Sequence, residues 1–482
     1  MEKEFKLDKE NNYSEWYTEV LKRAEIIDQR YHVKGFLVIR PNGAIPLELM
    51  RREWEKELEN HGHKRSIFPS VIPESFLHKE KEHVESFEAE VFWITHGSKT
   101  PLEEKLALRP TSETAMYSMY AIWIRSWRDL PLKLYQSCQV WRYETKATRP
   151  FLRDREFHWI EAHDVFATKE EAEKQVLEDM KITENVLHGK FGVPFIFFKR
   201  PEWDKFGGAV YTFAADALMP DGWVMQLPST HLLGQNFSKA MGIKFIDKDE
   251  QEKHAWQTTY GPAFGRILAA SMSTHGDNKG VILPFDYAPT QIVIIPIPVK
   301  GKEREVDHKC KELYDCLKDY RVVLDDSDKS PGEKYNEWEV RGASLRFEIG
   351  PKEIEGKEIT VVRRDSGKKE TIKEKDLDKY LSEIGKDILH NLKSKADKHF
   401  QDAIQDCKTL EEVKKRLDKG GIARTNFCSR ERSGEECANV LKAETQGGQV
   451  RGTAHGKEEK TFGNCVVCGK KATVVVYVAK AY

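Results

Sequence analysis

Two stretches of the sequence, residues 134–144 and Glu156–Phe166, alternate like β-strands and carry charged and aromatic residues at every second position. Since side chains alternate between the faces of a strand, each stretch gathers these residues on one face. The residues are Arg142, Glu144, Phe157, Trp159, Glu161 and His163. If the two faces coincide in a hairpin, the set is costly to bury without a ligand, which indicates a binding site. The alternative interpretation is a surface hairpin with cross-strand ion pairs.

The second strand also contains HWIEAH, which is similar to a metal-binding box. Alternation places His158 on the opposite face from Glu161 and His163. We therefore do not predict a metal ion on this strand.

Two shorter polar segments carry further candidates. In RPTSET, Thr111 precedes a helical run and Glu113 falls in its first turn, which is equally typical of an ordinary helix N-terminus. In QLPSTHLLGQ, Gln226, Ser229 and His231 fall in a polar turn between apolar segments. Neither segment predicts a function by itself.

The segment GPAFGR ends at Arg266, just before a predicted helix. Glycines permit close approach of the backbone, and an arginine beside a helix N-terminus suits a phosphate group. The segment is neither a Walker P-loop nor a dinucleotide-binding fingerprint, which disfavours both of those folds.

The elements that must position these residues fall into three blocks. Helical spacing over residues 13–28 and 46–61 precedes a strand at 66–72, and the hairpin and a β-rich region at 209–226 follow. After a proline-marked stretch near residue 287, strands alternate with helices, which predicts a small α/β domain. A charged helical pattern over 377–417 then leads to a β-rich tail. We predict an α+β chain with domains at residues 1–286, 287–395 and 396–482.

Composition narrows the class of protein. The 482 residues are 39% hydrophobic and 33% charged, which excludes a disordered chain and a membrane bundle. Seventy-eight basic against 79 acidic residues give a net charge of -1, so a globally basic nucleic-acid coat is excluded while a local basic face is not. The charged N-terminus lacks the apolar stretch of a signal peptide, so we expect a cytoplasmic protein without membrane partners.

Four of the eight cysteines lie near the end of the chain. Two residues separate Cys465 from Cys468, a common zinc-ligand spacing, whereas the eight residues between Cys428 and Cys437 are more than usual. These four cysteines are candidate ligands of a structural zinc ion, and His455 is a possible substitute. Four reduced cysteines without a metal are the alternative.

The order of these segments resembles a known family. A helix and strand ending in SIFPSVIP, the hairpin VWRYETKATRPFLRDREFHWIEAH and GRILAASMSTHGDNKGVILP are similar to motifs 1, 2 and 3 of class II aminoacyl-tRNA synthetases. With RPTSET, QLPSTHLLGQNFSKAMGIKF and EVRGASLRFEIGPKEIEGKEITVVRRDSGKK, nearly the whole chain resembles prolyl-tRNA synthetases of the archaeal and eukaryotic type. The resemblance implies a class II antiparallel-sheet catalytic domain, an α/β anticodon-binding domain and a small zinc-binding C-terminal domain.

The family joins proline to ATP, releases pyrophosphate and transfers the prolyl group to the 3′ end of tRNA(Pro). The resemblance implies that Arg142 bridges the α-phosphate and the proline carboxylate, and that Arg266 holds the γ-phosphate. It implies further nucleotide contacts, with Mg2+ accompanying ATP, from Glu144, Arg153, Phe157, Gln226 and Ser229. It implies a proline pocket formed by Thr111, Glu113, Trp159, Glu161, His163 and His231.

The resemblance also implies contacts with tRNA. Glu339, Arg346, Lys352 and Glu353 match positions that read anticodon guanines, and Lys146 and Arg149 of the hairpin loop would meet acceptor-stem phosphates. Motif 1 implies a homodimer, and the family's C-terminal extension implies a tyrosine, here Tyr482, tucked towards the catalytic domain.

About a hundred residues separate motifs 2 and 3, too few for a large hydrolytic insertion, so we expect no editing domain in cis and measurable activation of alanine or cysteine. Two alternative functions remain at this point, a non-catalytic paralogue that binds tRNA for regulation and a class II synthetase for an amino acid such as threonine. The four arginine and glutamate residues of the nucleotide site argue against the first, and RPTSET with HWIEAH argues against the second.

Overall fold

The computed structural model describes residues 8–78, 91–144 and 147–482. The first half of the chain forms helices and strands that are mostly brought together around one large sheet. Its helices are α1 (Tyr13–Arg23), α2 (Pro41–Asn60), α3 (Glu74–His78), α4 (Glu113–Trp123), α5 (Lys169–Thr183), α6 (Asn236–Met241) and α7 (Phe264–His275). Its strands are β1 (Ile27–Asp28), β2 (Val38–Ile39), β3 (Lys64–Arg65), β4 (Val71–Pro73), β5 (Trp93–Gly97), β6 (Thr100–Leu108), β7 (Leu132–Trp141), β8 (Glu156–Phe166), β9 (Ile196–Lys199), β10 (Tyr211–Leu218), β11 (Val224–Gly234), β12 (Lys244–Ile246), β13 (Glu252–His254) and β14 (Trp256–Gly261).

The second half contains the remaining elements. The helices are α8 (Glu303–Cys316), α9 (Pro331–Arg341), α10 (Pro351–Gly356), α11 (Leu377–Asp402), α12 (Leu410–Asp418) and α13 (Glu435–Glu444). The strands are β15 (Ile292–Pro296), β16 (Val322–Leu324), β17 (Leu345–Ile349), β18 (Glu358–Arg363), β19 (Lys369–Lys373), β20 (Ile404–Cys407), β21 (Ile422–Phe427), β22 (Gln449–Ala454) and β23 (Val474–Ala479). The chain also contains a π-helical turn at Glu184–His188 and several single 3-10 turns.

The largest sheet has eleven strands in the order β20-β21-β23-β22-β9-β10-β11-β14-β8-β7-β3. Its central six strands, β9 to β7 in that order, are antiparallel throughout. Helices α1, α2 and α7 cover one face, where Trp16, Trp54 and Ile267 are fully buried in the main apolar core. The predicted antiparallel-sheet architecture is thereby confirmed.

A separate five-stranded sheet, ordered β16-β15-β17-β18-β19, follows residue 291. Strands β15, β16 and β17 are parallel, and helices such as α8 connect them, as expected for an α/β unit. Helix α9 begins with a capping box between Ser330 and Glu333 and ends at Gly342 in the left-handed region. This sheet therefore agrees with the alternating pattern of strands and helices in the sequence.

Three predictions of local structure need correction. The strand expected at 66–72 is interrupted, because Pro69 has no N–H to donate and the Arg109 guanidinium binds the carbonyls of Phe68 and Pro69. The helical pattern expected over 377–417 is divided by β20, which pairs in parallel with β21. The first predicted helix is also shorter and ends at Arg23, just before Glu25 adopts a φ of 56°.

The strands at the end of the chain are continuous with the central sheet. Strand β22 pairs with β9 through Thr453 with Lys199 and Ala454 with Phe198. Among the described residues, no helix is both long and apolar enough to cross a bilayer.

Candidate active site

A cavity of about 340 Å³ opens over the central strands of the large sheet, between the β7–β8 hairpin, β11 and the start of α7. Many of the residues predicted from the sequence line it. They are Glu113, Arg142, Glu144, Arg153, Phe157, Trp159, Glu161, Gln226, Ser229, His231 and Arg266. Thr111 and His163 are buried, and each contacts the lining residue Glu161. The structure therefore gathers the predicted set at one place.

The hairpin register explains why its functional side chains share a face. Trp159 pairs with Cys138 and Glu161 with Gln136, so even-numbered positions of β7 lie beside odd-numbered positions of β8. Arg142 continues the even-numbered series beyond the end of β7. The two strand faces therefore coincide, which is the condition under which the sequence indicated a binding site.

Arg142 lies over two aromatic rings at the mouth of the cavity. Its Cζ atom is 5.5 Å from the centroid of Phe157 and 5.2 Å from that of Trp159, and its Nε donates to the carbonyl of Pro110 at 3.1 Å. Stacking on the rings and a backbone acceptor hold the guanidinium group in one orientation.

Arg266 extends from the first turn of α7 into the same cavity. Its Nε donates to the carbonyl of Leu152 at 3.1 Å and its Nη1 to the carbonyl of Gln226 at 3.3 Å. Burial and, after it, the guanidinium groups of Arg142 and Arg153 lower the pKa of Arg266 to about 10. Three arginines thus concentrate positive charge in one cavity, which is the electrostatic environment that a polyanion requires.

Two carboxylates face this cluster. Glu144 lies with its Oε2 3.8 Å from the Nε of Arg153. Asp154 was not predicted, and burial raises its pKa to about 7. Its Oδ2 accepts from the backbone N–H of Phe151 at 2.8 Å, while its buried Oδ1 has no hydrogen-bond partner among the described residues.

The opposite end of the cavity is built around Glu161. Its Oε1 accepts from the Thr111 hydroxyl at 2.6 Å and from the backbone N–H of Ser112 at 3.0 Å, while its Oε2 accepts from the Ser112 hydroxyl. Burial alone would raise the pKa of Glu161, but its partners, including His163, outweigh burial and lower the pKa. The carboxylate is therefore ionised and fixed.

Glu113 and His163 complete this end. The Thr111 hydroxyl also contacts the Glu113 carboxylate, and His163 Nδ1 lies 3.0 Å from the Tyr117 hydroxyl. Burial opposes protonation of His163, but Glu161 and Glu113 outweigh burial and raise its pKa. Glu113, Glu161 and His163 lie close enough together to hold an ion, whereas His158 projects elsewhere, as alternation predicted. The two carboxylates thus favour the protonated form of the imidazole, whose charge offsets part of theirs.

His231 closes the pocket from β11. Its Nδ1 lies 2.8 Å from the Thr212 hydroxyl and its Nε2 3.0 Å from the Ser229 hydroxyl. Burial and, after it, the charges of Arg200 and His163 lower the pKa of His231 to about 3, so the ring is neutral. Phe206 packs against it at 4.8 Å between ring centroids and adds an apolar wall.

The motif GPAFGR contributes a close approach as well as Arg266. A Cβ atom at Gly261 would lie 2.7 Å from the indole Nε1 of Trp159, so only glycine lets the ring lie flat on this strand end. The glycine in the sequence predicted such an approach, although not its partner.

Several lining residues escaped prediction from the sequence. They are Asp154, Arg200, Asp204, Phe206, Thr212 and Thr259. Most come from β10, β14 or the segment after β9, where no local motif distinguishes them. Only the pairing of distant strands brings them to the cavity.

The loop of the hairpin holds Arg149 among aromatic rings. Its Cζ lies 5.5 Å, 5.2 Å and 5.5 Å from the ring centroids of Tyr13, Tyr17 and Tyr482. The hydroxyl of Tyr482 donates to Asp221, so this tyrosine packs on the first half of the chain. Lys146, the other loop residue predicted to bind tRNA, lies outside the described residues.

The residues predicted to read the anticodon lie on the five-stranded sheet and its helices. Arg346 on β17 donates to Glu348 at 3.0 Å and to Glu339 at 3.3 Å, and its Cζ lies 3.9 Å from the ring centroid of Tyr335. Lys352 is exposed in the first turn of α10. Glu353 instead caps α10, since its Oε2 accepts from the N–H of Gly350 at 3.0 Å.

The four cysteines near the end of the chain converge. The Sγ atoms of Cys428, Cys437, Cys465 and Cys468 all lie within 4.8 Å of one another. Zn–S bonds of about 2.3 Å in a tetrahedron give S–S separations of about 3.8 Å, so the set fits a closed structural zinc site. His455 is not part of this cluster and lies against Phe213.

Comparison with known families matches three parts of the chain to separate family models. Residues 92–275 match the tRNA synthetase class II core domain (G, H, P, S and T), and residues 291–384 match an anticodon binding domain. Residues 410–482 match the C-terminal domain of prolyl-tRNA synthetase.

Individual relatives cover the whole chain. A proline–tRNA ligase of Thermofilum pendens is 48% identical over 480 residues, which is 99% of this chain and 98% of the relative. The prolyl-tRNA synthetase of Giardia lamblia in complex with prolyl-adenylate superposes with a TM-score of 0.94 at 37% identity, covering 98% of this chain and 99% of that one. The enzyme of Cryptosporidium parvum, complexed with halofuginone and AMPPNP, superposes with a TM-score of 0.94 at 33% identity and covers 99% of each chain.

Proposed function

The chain belongs to the prolyl-tRNA synthetase family, and we propose that its central cavity joins L-proline to ATP and then charges tRNA(Pro). In the first step a proline carboxylate oxygen attacks the α-phosphorus, the bond to the β-phosphate breaks and pyrophosphate leaves. In the second step the terminal ribose hydroxyl of the tRNA attacks the prolyl carbonyl and AMP leaves. The observation that carries this proposal is the cluster of three arginines that shares one cavity with the carboxylates of Glu113 and Glu161.

The arginine end of the cavity suits the nucleotide. Arg142 is placed to bridge the α-phosphate and the proline carboxylate, and its charge stabilises the attacking and leaving oxygens. Arg153 and Arg266 suit the outer phosphates, and Phe157 offers a ring face to adenine. Glu144 is the acceptor for the adenine amino group, and Gln226 and Ser229 contact the nucleotide from β11.

The carboxylate end of the cavity suits the proline ring and its secondary ammonium. Glu113 is placed to pair with the ammonium, with Thr111 beside it. Glu161 and His163 form the ion pair that holds this end together, while Trp159 and the neutral His231 provide the walls. Because no covalent enzyme intermediate is needed, positioning and charge stabilisation account for the catalysis.

Contacts with tRNA extend beyond the cavity. Glu339, Arg346, Lys352 and Glu353 are our candidates for reading anticodon guanines, because carboxylates accept from guanine N1 and N2 and guanidinium groups donate to O6 and N7. Arg149 and Lys146 are candidates for acceptor-stem phosphates.

Two metals fit the residues. Mg2+ would accompany ATP and neutralise phosphate charge beside the three arginines of the cavity. Zinc would be held by the four convergent cysteines, and its role there would be structural. Neither proposal changes the roles of the arginines.

We further propose that the chain works as a cytoplasmic homodimer with domains at residues 1–286, 287–395 and 396–482. The family's motif 1 lies at the subunit interface, which supports the dimer, and the three family matches support the division.

Aminoacylation of a tRNA(Pro) transcript tests the complete function. We expect ATP-dependent incorporation of radiolabelled proline, and a strong loss when the two anticodon guanines are replaced. Folded protein that binds the transcript without charging it would indicate a regulatory tRNA-binding paralogue.

A further inference from the structure

A buried charge network joins the last part of the chain to the nucleotide site. Asp216 on β10 is completely buried, and its carboxylate accepts from two arginines that are each 4% exposed. Arg200 donates to it from Nη2 at 2.6 Å and from Nη1 at 3.0 Å. Arg451 donates to it from Nε at 2.6 Å and from Nη2 at 3.2 Å. Four charge-assisted hydrogen bonds saturate one carboxylate.

The network continues into the cavity through Gln226. The Nη2 of Arg200 donates to the side-chain Oε1 of Gln226 at 3.0 Å, and both residues line the cavity. A guanidinium group can only donate, so it fixes the Gln226 carbonyl oxygen towards itself and leaves the amide NH2 group to donate to a ligand. Gln226 also pairs across the sheet with Asp216, so the three side chains form a compact unit.

Local strand geometry aims Arg451 at this unit. Val450 pairs with Val478 and Gly452 with Tyr477, so Arg451 is the extra residue of a β-bulge on β22. Gly452 has a φ of +123°, and a Cβ there would lie 2.1 Å from the carbonyl oxygen of Lys199. Only glycine therefore allows β22 to approach the segment that carries Arg200.

The backbone reinforces the link between the two arginines. The Nη1 of Arg200 also donates to the carbonyl oxygen of Arg451 at 2.9 Å. Arg200 is thus held by both the main chain of β22 and the Asp216 carboxylate that Arg451 shares. Replacing the Arg451 side chain leaves both of these contacts of Arg200, but it removes the second guanidinium group that fixes the Asp216 carboxylate.

We propose that Arg451 is a positioning residue for the ATP site, acting through Asp216 and Arg200 on the amide of Gln226. The C-terminal part of the chain, which contains the four cysteines, then helps to set the affinity for the nucleotide. The inference rests on the proposed function, because it takes Gln226 to be a nucleotide contact.

The test compares Arg451→Met with Arg424→Met. Arg424 also pairs with two carboxylates, Asp406 and Glu459, each at 2.7 Å, but β22 and β23 separate its strand from β9. We expect Arg451→Met to weaken AMPPNP binding in calorimetry about tenfold and to change the KM for proline less than twofold. Arg424→Met should lower the melting temperature without changing either constant.

A double-mutant cycle with Gln226→Ala separates positioning from general stability. If Arg451 acts through Gln226, adding Arg451→Met to Gln226→Ala should weaken AMPPNP binding no further. Additive effects, unchanged AMPPNP affinity in Arg451→Met, or equal losses of ATP and proline affinity would each overturn the inference. If Arg451→Met does not fold, Arg451→Lys, which keeps the charge but loses the fork, is judged by the same criteria.

The binding assay needs no turnover, so the two proposals can fail separately. Wild-type protein that binds AMPPNP but exchanges no pyrophosphate with proline contradicts the proposed function alone. Wild-type protein that binds no AMPPNP contradicts both.

Discussion

The hydroxyl of Thr111 donates a hydrogen bond to Oε1 of Glu161 at 2.6 Å, although 49 residues lie between them in the sequence. This contact joins the N-terminus of α4 to the second strand of the hairpin. Together with Ser112 it saturates the Glu161 carboxylate, which leaves Glu113 as the carboxylate for a substrate ammonium. In the proposed proline pocket, Glu161 is thus the carboxylate held in place, and Glu113 is the one proposed to pair with the substrate.

Replacing Glu113 should therefore affect proline specifically. We expect Glu113→Ala, and less strongly Glu113→Gln, to raise the KM for proline at least tenfold in pyrophosphate exchange, because the ammonium loses its charged partner. AMPPNP affinity should stay within twofold. Glu170→Gln, which alters a surface glutamate in the first turn of α5, is the matched control. Unchanged proline dependence in Glu113→Ala would show that this assignment is wrong.

We expect Arg266 to support the reaction without stabilising the protein in the absence of ATP. Burial and two neighbouring arginines disfavour its charge, so Arg266→Met should lower exchange at least a hundredfold while the melting temperature without ATP stays equal or rises. ATP should then stabilise the variant less than it stabilises the wild type. Arg304→Met, an exposed site on α8, controls for loss of charge alone. A melting temperature that falls by several degrees would indicate a structural role for Arg266 instead.

The raised pKa of Asp154 leads us to predict that ATP binding depends on pH. Its folded-state pKa is raised to about 7, so the carboxyl is neutral below this pH and ionises as the pH rises through it. The ionised form repels phosphate, so AMPPNP affinity should fall from pH 6 to pH 8. Asp154→Asn cannot ionise and should lose this part of the dependence, while the titration of the nucleotide itself remains in both proteins. Parallel pH profiles for the two proteins would contradict the prediction.

The convergent cysteines predict one structural zinc ion per chain. Metal analysis of purified protein should find it, and Cys468→Ser should lose it together with several degrees of melting temperature. Cys316→Ser, which alters an exposed cysteine outside the cluster, should keep both. The prediction is wrong if the purified wild-type protein contains no zinc and a chelator does not change its melting temperature. The four cysteines would then be reduced thiols without a metal.

The hairpin was predictable because strand alternation is a local signal. Phe157, Trp159, Glu161 and His163 share a face because they occupy every second position. The β7–β8 register then brings Arg142 alongside them. The sequence also placed Arg266 at the start of a helix. Contacts between distant segments, such as that of Thr111 with Glu161, needed the family resemblance or the structure.

The parts that escaped prediction depend on long-range pairing. Arg200 and Asp216 lie in segments without any motif, and their roles arise only because β9, β10 and β22 are adjacent. No local sequence pattern indicated the role of Arg451 either, because a β-bulge is set by the strands on both sides. The strand expected at 66–72 was wrong for two reasons. Pro69 is visible in the sequence and interrupts the strand, whereas the binding of two carbonyls by Arg109 cannot be read from local spacing.

Amino-acid-dependent exchange of pyrophosphate into ATP tests the central claim most directly. The purified chain is assayed with each of the twenty amino acids, without tRNA. The cavity predicts strong exchange with proline, and weaker exchange with alanine or cysteine, which are small enough to enter. Folded protein that supports exchange best with another amino acid, or with none, would contradict the account.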